Sequence, residues 1–224
     1  MRYTTEERNR RKEQLLQRME AKRRVMGFAV GMCILLAVMI SYALLQQNDI
    51  QRQYIYPYHY RGVIEKYSQQ YQVDEYLVIA MIKTESKFQP EAVSGFGAMG
   101  LMQLMPETAI WISGQLDDTG FNLDQLKEPQ CNIRYGSWYL SSLQEEFQGN
   151  EVLMLAAYNA GRGNVLSWMK QYGWDYSFNN PEEIPYRETQ EYVKSVLGNR
   201  NKYQKLYEVQ EENLLKGKGL GYAG

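Results

Sequence analysis

Residues 74–86 read DEYLVIAMIKTES. Val78, Met81 and Ile82 fall at helical spacing, and Glu85 continues the series. The stretch therefore reads as an amphipathic helix that aims a carboxylate along its own apolar stripe, toward the interior. Three effects are expected to act on that carboxyl. Burial disfavours the charged form, the negative end of the helix dipole repels it, and Lys83 and Lys87 lie off its face. A carboxylic acid held protonated near neutral pH is a general acid. The plain alternative is a Glu at a fraying helix end, solvated or ion-paired, and this helix alone does not choose between them.

C-terminal to it, residues 95–106 read GFGAMGLMQLMP. Gly95, Gly97 and Gly100 match a dinucleotide-binding fingerprint, and Asp117 and Asp118 follow. That fingerprint needs a strand before it and a helix opening at the third glycine. Here the preceding apolar run has helical period, and Pro106 would break a helix begun at Gly100. A loop that lets backbone approach a ligand is the better account. It carries one polar residue, Gln103, among Leu101, Met102, Leu104 and Met105. A Gln in such a run must find partners in protein, water or ligand. It either ties down the loop or reads a ligand.

Two further helices repeat the pattern of a polar group on an apolar stripe. In EVLMLAAYNAGRG (151–163), Val152, Leu155, Ala156 and Asn159 share a face before Gly161 and Gly163 end the helix. In ETQEYVKSVLGNRNKYQKLY (188–207), the stripe Tyr192, Val196, Tyr203 and Tyr207 opens with a hydroxyl that could reach a buried acid. A helix cap and a plain core stripe are the respective alternatives. Helices are expected near 60–71, 74–87, 106–113, 130–147, 151–160, 163–171 and 188–208. A small irregular β element belongs in 90–104, so the fold class is mainly α.

Ahead of this domain lies VMGFAVGMCILLAVMISYALL (25–45), without a charge. At 1.5 Å per residue it forms about 31 Å of helix, enough to cross a bilayer core. Residues 1–24 carry nine Lys/Arg against four Asp/Glu, a net of +5 in a chain of −1, which leaves −6 for the rest. The positive-inside rule then predicts a cytoplasmic basic segment (1–24), a transmembrane anchor (25–45), a linker (46–57), an extracytoplasmic domain (58–210) and a flexible tail (211–224). A cleaved signal peptide is the rival, since Ser41-Tyr42-Ala43 resembles a cleavage site; the long polar lead and the long apolar run favour retention. Residues 5–24 are mostly charged and have helical potential. The Tyr residues of YIYPYHYRG (54–62) suit a membrane interface.

Composition excludes several chemistries. The acidic outer domain argues against a nucleic-acid partner. Cys33 lies in the membrane span and Cys131 in the domain, which makes an intramolecular disulfide implausible. With two separated cysteines and one histidine, His59, these ligands cannot assemble a zinc site, and no cofactor is implied. No Ser-His-Asp or Cys-His pairing has support. Aromatics make up 13% of the chain, enough to offer sugar-packing faces, although core packing explains much of that share.

Five segments, in order, resemble the catalytic domain of the soluble lytic transglycosylases, a branch of the lysozyme-like enzymes. They are IKTESKFQPEAVS (82–94), GAMGLMQLMPETA (97–109), NIRYGSWYL (132–140), AAYNAG (156–161) and IPYRETQEYV (184–193). The resemblance, from about Tyr58 to Tyr207, implies an α+β lysozyme-like domain acting on the glycan strands of peptidoglycan. It makes Glu85 the sole catalytic acid/base. It places Ser86, Gln103, Met105, Tyr158, Asn159 and Tyr192 around the sugar. Arg162 departs from the family, which often has a small residue or Pro there, and could alter contacts beside the cleft. Asp117, Asp118 and Asp124 lie in a polar loop, SGQLDDTGFNLD (113–124), where turn formation accounts for them. The implied reaction cleaves the MurNAc-β-1,4-GlcNAc bond and closes a 1,6-anhydro ring. A hydrolytic muramidase and a non-catalytic wall-binding module are the alternatives.

Overall fold

The computed structural model describes residues 5–217. It divides after Pro57 into two units. The first holds helix α1 (Thr5–Leu45), a short α2 (Asn48–Ile50) and a π-helical turn (Gln51–Ile55). The stretch expected as a linker is thus helical for most of its length. Leu16–Leu45 is the one helix among the described residues that is long and apolar enough to cross a membrane. Its large apolar side chains are exposed, including Val25, Phe28, Ile34 and Leu36.

The second unit begins at Tyr58 and is built from α3 (Arg61–Tyr71), α4 (Glu75–Ser86), α5 (Pro106–Gln115), α6 (Pro129–Glu146), α7 (Glu151–Ala160), α8 (Arg162–Tyr172) and α9 (Arg187–Gly217). Short 3-10 turns at Leu123–Lys127 and Pro181–Glu183 join them. The mainly helical expectation holds. Two helices start on proline at their first position, Pro106 and Pro129, where a missing N–H costs nothing. Asp74 caps α4 by accepting from the Tyr76 amide at 2.8 Å, and Asn150 caps α7 by accepting from Leu153 at 2.9 Å.

Helix α4 is the centre of the domain rather than an amphipathic surface helix. Tyr76 to Ile82 are buried without a break. A helix that is apolar all round must be covered on all sides, and α9 lies along it most extensively, with α3 beside it. From α9 come Tyr192, Val193, Val196, Tyr203 and Leu206, all buried. Arg200 locks this packing at one end. Its Nε donates to Asp74 at 2.6 Å, and its Nη2 lies 3.6 Å from Glu151. One guanidinium on α9 thereby engages the N-terminal ends of both α4 and α7.

The expected β element consists of two isolated antiparallel bridges, Val93 with Met99 and Met99 with Leu104. No helix opens at Gly100; α5 begins at Pro106. Helix α9 continues to Gly217, so the first part of the expected tail, 211–217, is helical; residues 218–224 lie outside those described.

Candidate active site

The loop between α4 and α5 is held open as a wall by one buried side chain. Asn132, on α6 and fully buried, donates from Nδ2 to the carbonyls of Met99 (3.0 Å) and Leu126 (2.8 Å). Its Oδ1 accepts from the Met102 amide at 2.8 Å. Two glycines permit the approach. Gly100 has φ +78°, and a Cβ there would run into the Leu126 carbonyl and the Asn132 amide. A Cβ on Gly136 would meet the Met102 side chain. In the NIRYG stretch, Asn and Gly thus clamp the loop from behind. The sequence signal was present, a polar residue and a glycine in an apolar helix, but nothing in the chain order paired it with residues thirty positions earlier.

In front of this wall lies a cleft of about 690 Å³. Glu85 lines it from the last turn of α4. Gln103 and Met105 line it from the loop, and Tyr158 and Asn159 from the end of α7. Gln103 sits in the left-handed region (φ 47°), and its Nε2 donates to the carbonyls of Ala92 (3.1 Å) and Gly100 (2.9 Å). It therefore ties down the loop and faces the cleft as well, with Oε1 left as an acceptor. The Tyr158 hydroxyl donates to the Met102 carbonyl at 2.9 Å, so its ring braces α7 against the loop. Asn159 accepts from Thr189 at 2.8 Å through Oδ1, which leaves its N–H groups for the cleft.

Ser86 and Tyr192 do not line the cleft. Ser86 is buried, and its hydroxyl donates back to the Ile82 carbonyl at 3.1 Å. A helix satisfies such a hydroxyl internally. Tyr192 approaches the Glu85 carboxyl from α9, from behind the site. Its buried oxygen acts on that carboxyl without closing a hydrogen bond of ordinary geometry to any group.

Burial pushes the Glu85 carboxyl up to about 7, and the Tyr192 hydroxyl pulls the other way. Burial is the leading cause. Lys83 and Lys87, read as lying off its face, do not act on the carboxyl, and burial lowers Lys83 itself. The acid groups of the 113–124 loop stay apart from the cleft. Asp118 accepts from Arg134 (2.9 Å) and Tyr135 (3.1 Å), and Asp117 and Asp124 are exposed. Sequence reading missed Ser94, Phe96, Tyr186, Glu188 and Thr189, all in the lining. Glu188 is the important omission, a second and solvated carboxylate in the cleft. It opens α9 ahead of the stripe, where an acid reads as ordinary first-turn chemistry. No group of three His, Cys, Asp or Glu among the described residues gathers to hold a metal.

A buried acid lining an open cleft can protonate a leaving oxygen on a bound substrate. The family model for the Transglycosylase SLT domain matches residues 62–180. The soluble lytic murein transglycosylase of Escherichia coli K12 is 34% identical over 144 residues, covering 63% of this chain and 22% of that protein. The membrane-bound lytic murein transglycosylase C of Sodalis glossinidius is 37% identical over 118 residues, covering 48% and 32% respectively. The chain thus spans between about a fifth and a third of the length of the curated relatives it matches. The crystal structure of the 70 kDa soluble lytic transglycosylase of E. coli superposes with a TM-score of 0.63 at 31% identity, over 67% of this chain and 25% of that one. That enzyme is also known in complex with bulgecin A. An inactive mutant of the Pseudomonas aeruginosa enzyme, with Gln in place of a Glu, matches at a TM-score of 0.60 and 33% identity, over 75% and 30%.

Proposed function

The chain belongs to the transglycosylase SLT domain family, and we propose that it is a membrane-anchored lytic transglycosylase of peptidoglycan. It cleaves the β-1,4 bond between N-acetylmuramic acid and N-acetylglucosamine. The observation that carries this reading is Glu85, held near neutral by burial on the floor of an open cleft.

The reaction needs one carboxyl used twice. Protonated Glu85 gives its proton to the glycosidic oxygen, and the bond from that oxygen to the anomeric carbon of the muramic acid breaks. The N-acetyl carbonyl of the same sugar stabilises the positive charge at that carbon. Its 6-hydroxyl oxygen then attacks, and the Glu85 carboxylate takes the hydroxyl proton. The acid is restored, no water is consumed, and the product ends in a 1,6-anhydro ring. Because the nucleophile already belongs to the substrate, closure carries little entropic cost compared with capturing a water. Asn159 and Gln103 present a donor and an acceptor for the acetamido groups and hydroxyls. Tyr158 and Met105 supply apolar surface for the ring faces.

Glu188 favours a second reading, hydrolysis, in which it would act as base on a water across the sugar, as in glycosidases with two carboxylates. Its solvent exposure argues against it, since a base for water gains from a fixed, shielded position. The α1 span and the membrane-bound relatives support anchoring, and the basic residues before it support a cytoplasmic N-terminus with the domain outside.

The test is turbidity loss of purified peptidoglycan with the full-length chain in detergent. The wild type clears the suspension. Glu85→Gln, folded by circular dichroism, fails to clear it by at least a thousandfold in rate. Substantial clearing by that variant would remove Glu85 from the mechanism.

A further inference from the structure

Beyond the cleft lining, ring packing continues outward from Tyr158. The Tyr158 ring meets Tyr139 of α6 at 5.3 Å between centroids, and Tyr139 meets Trp111 of α5 at 6.2 Å. Trp111 is 38% exposed, a large apolar area to leave in water, and Ile110, next to it in the chain, is exposed as well. Its orientation is fixed. Trp138 packs edge-on at 5.3 Å, and the Arg162 guanidinium sits over its ring at 5.6 Å. Arg162 is itself set by Glu146, 2.6 Å away, in an ion pair whose alignment falls short of a hydrogen bond. Ala160, two residues before Arg162, lines the cleft, which places Arg162 beside the cleft wall.

We propose that Trp111 and Arg162 form a saccharide platform that extends the cleft along α5 and takes the N-acetylhexosamine next to those held over Glu85. The pyranose ring of a β-1,4 strand presents axial C–H groups that would pack on the indole face Arg162 does not cover, with its acetamido carbonyl and hydroxyls accepting from guanidinium N–H groups at the ring edge. A core role accounts for Trp138 and Tyr139, which are more covered than Trp111, but not for the exposure of a ring held this firmly. The proposal rests on the glycan reading of the cleft and adds a length preference to it.

The experiment is calorimetric titration of the full-length chain in detergent, in the Glu85→Gln background, with β-1,4-linked GlcNAc trimer and hexamer. The parent is expected to bind the hexamer more tightly than the trimer. Adding Trp111→Ala should weaken hexamer binding about tenfold more than trimer binding, and Trp111→Phe should keep most of the hexamer preference. Arg162→Ala should reduce the same preference. Equal weakening of both oligomers, or none, would overturn the platform, because a merely structural role does not discriminate by length. A parent that binds both oligomers equally also overturns it and leaves the cleft reading standing. A parent that binds neither overturns both.

Discussion

Glu85 is held in the cleft by a helix whose middle, Tyr76 to Ile82, is buried without a break, and the cost of that placement is measurable. Its carboxyl titrates at about 7 in the fold, against an ordinary value of 4.5. Below pH 4.5 both the folded and unfolded chains hold the proton, and well above pH 7 neither does. Between them only the folded chain holds it, so stability falls as pH rises through this window. The full shift corresponds to about 3 kcal/mol, reduced by the part of the carboxyl that water still reaches. Glu85→Gln should therefore melt higher than the wild type at pH 8 and match it near pH 4, which paired thermal melts at the two pH values would reveal. Equal melting temperatures at pH 8 would mean that the carboxyl is solvated. In the proposed reaction the same proton governs turnover. Because that reaction starts from protonated Glu85, kcat/KM should fall about tenfold per pH unit above about pH 7. Tyr192→Phe removes the hydroxyl that favours the charged form, so it should move that limb upward; a downward move would contradict the assigned direction.

Among the elements, the α4–α5 loop depends on α6. Asn132→Ala leaves the Met102 N–H without its buried partner and removes one donor each from the Leu126 and Met99 carbonyls, of which Met99 still accepts from the Leu104 N–H. A loss of about 1–3 kcal/mol is expected in urea unfolding, the cost of a buried N–H left unpaired. A change below about 1 kcal/mol would mean that water replaces the amide freely. Gly100→Ala should cost at least as much, since it meets backbone as well as a left-handed φ. The helices themselves were readable, because apolar period and punctuation by Pro, Gly, Asn and Asp are local. What local pattern could not carry is depth. Val78, Met81 and Ile82 marked a stripe on α4, but only the cover provided by α9 turns that helix into a core element. Likewise Gln103 and Asn159 were legible as polar groups out of place. Ser86, beside Glu85 in sequence, turned out to bond within its own helix. Glu188 and Phe96 were invisible because an exposed residue carries no periodic signal, and only the fold brings them to the cleft.

At the scale of the whole molecule, a basic segment, an uncharged apolar helix and an acidic domain follow one another along the chain. If the proposed topology is right, protease added to intact spheroplasts will digest the domain and spare a tag placed at the N-terminus. A tag lost with the domain, or a mature chain beginning near Leu44, would support a cleaved leader instead. Such a tether would confine the cleft to glycan strands near the membrane surface. The central claim is that one buried carboxyl suffices, because the substrate supplies its own nucleophile. The measurement that tests it most directly is mass spectrometry of the muropeptides released from purified peptidoglycan by the full-length chain, before and after borohydride reduction. The account predicts ends that are one water lighter than hydrolysis products and unchanged by borohydride, the signature of 1,6-anhydromuramic acid. Predominantly reducible ends would contradict it and make Glu188 the base of a hydrolase.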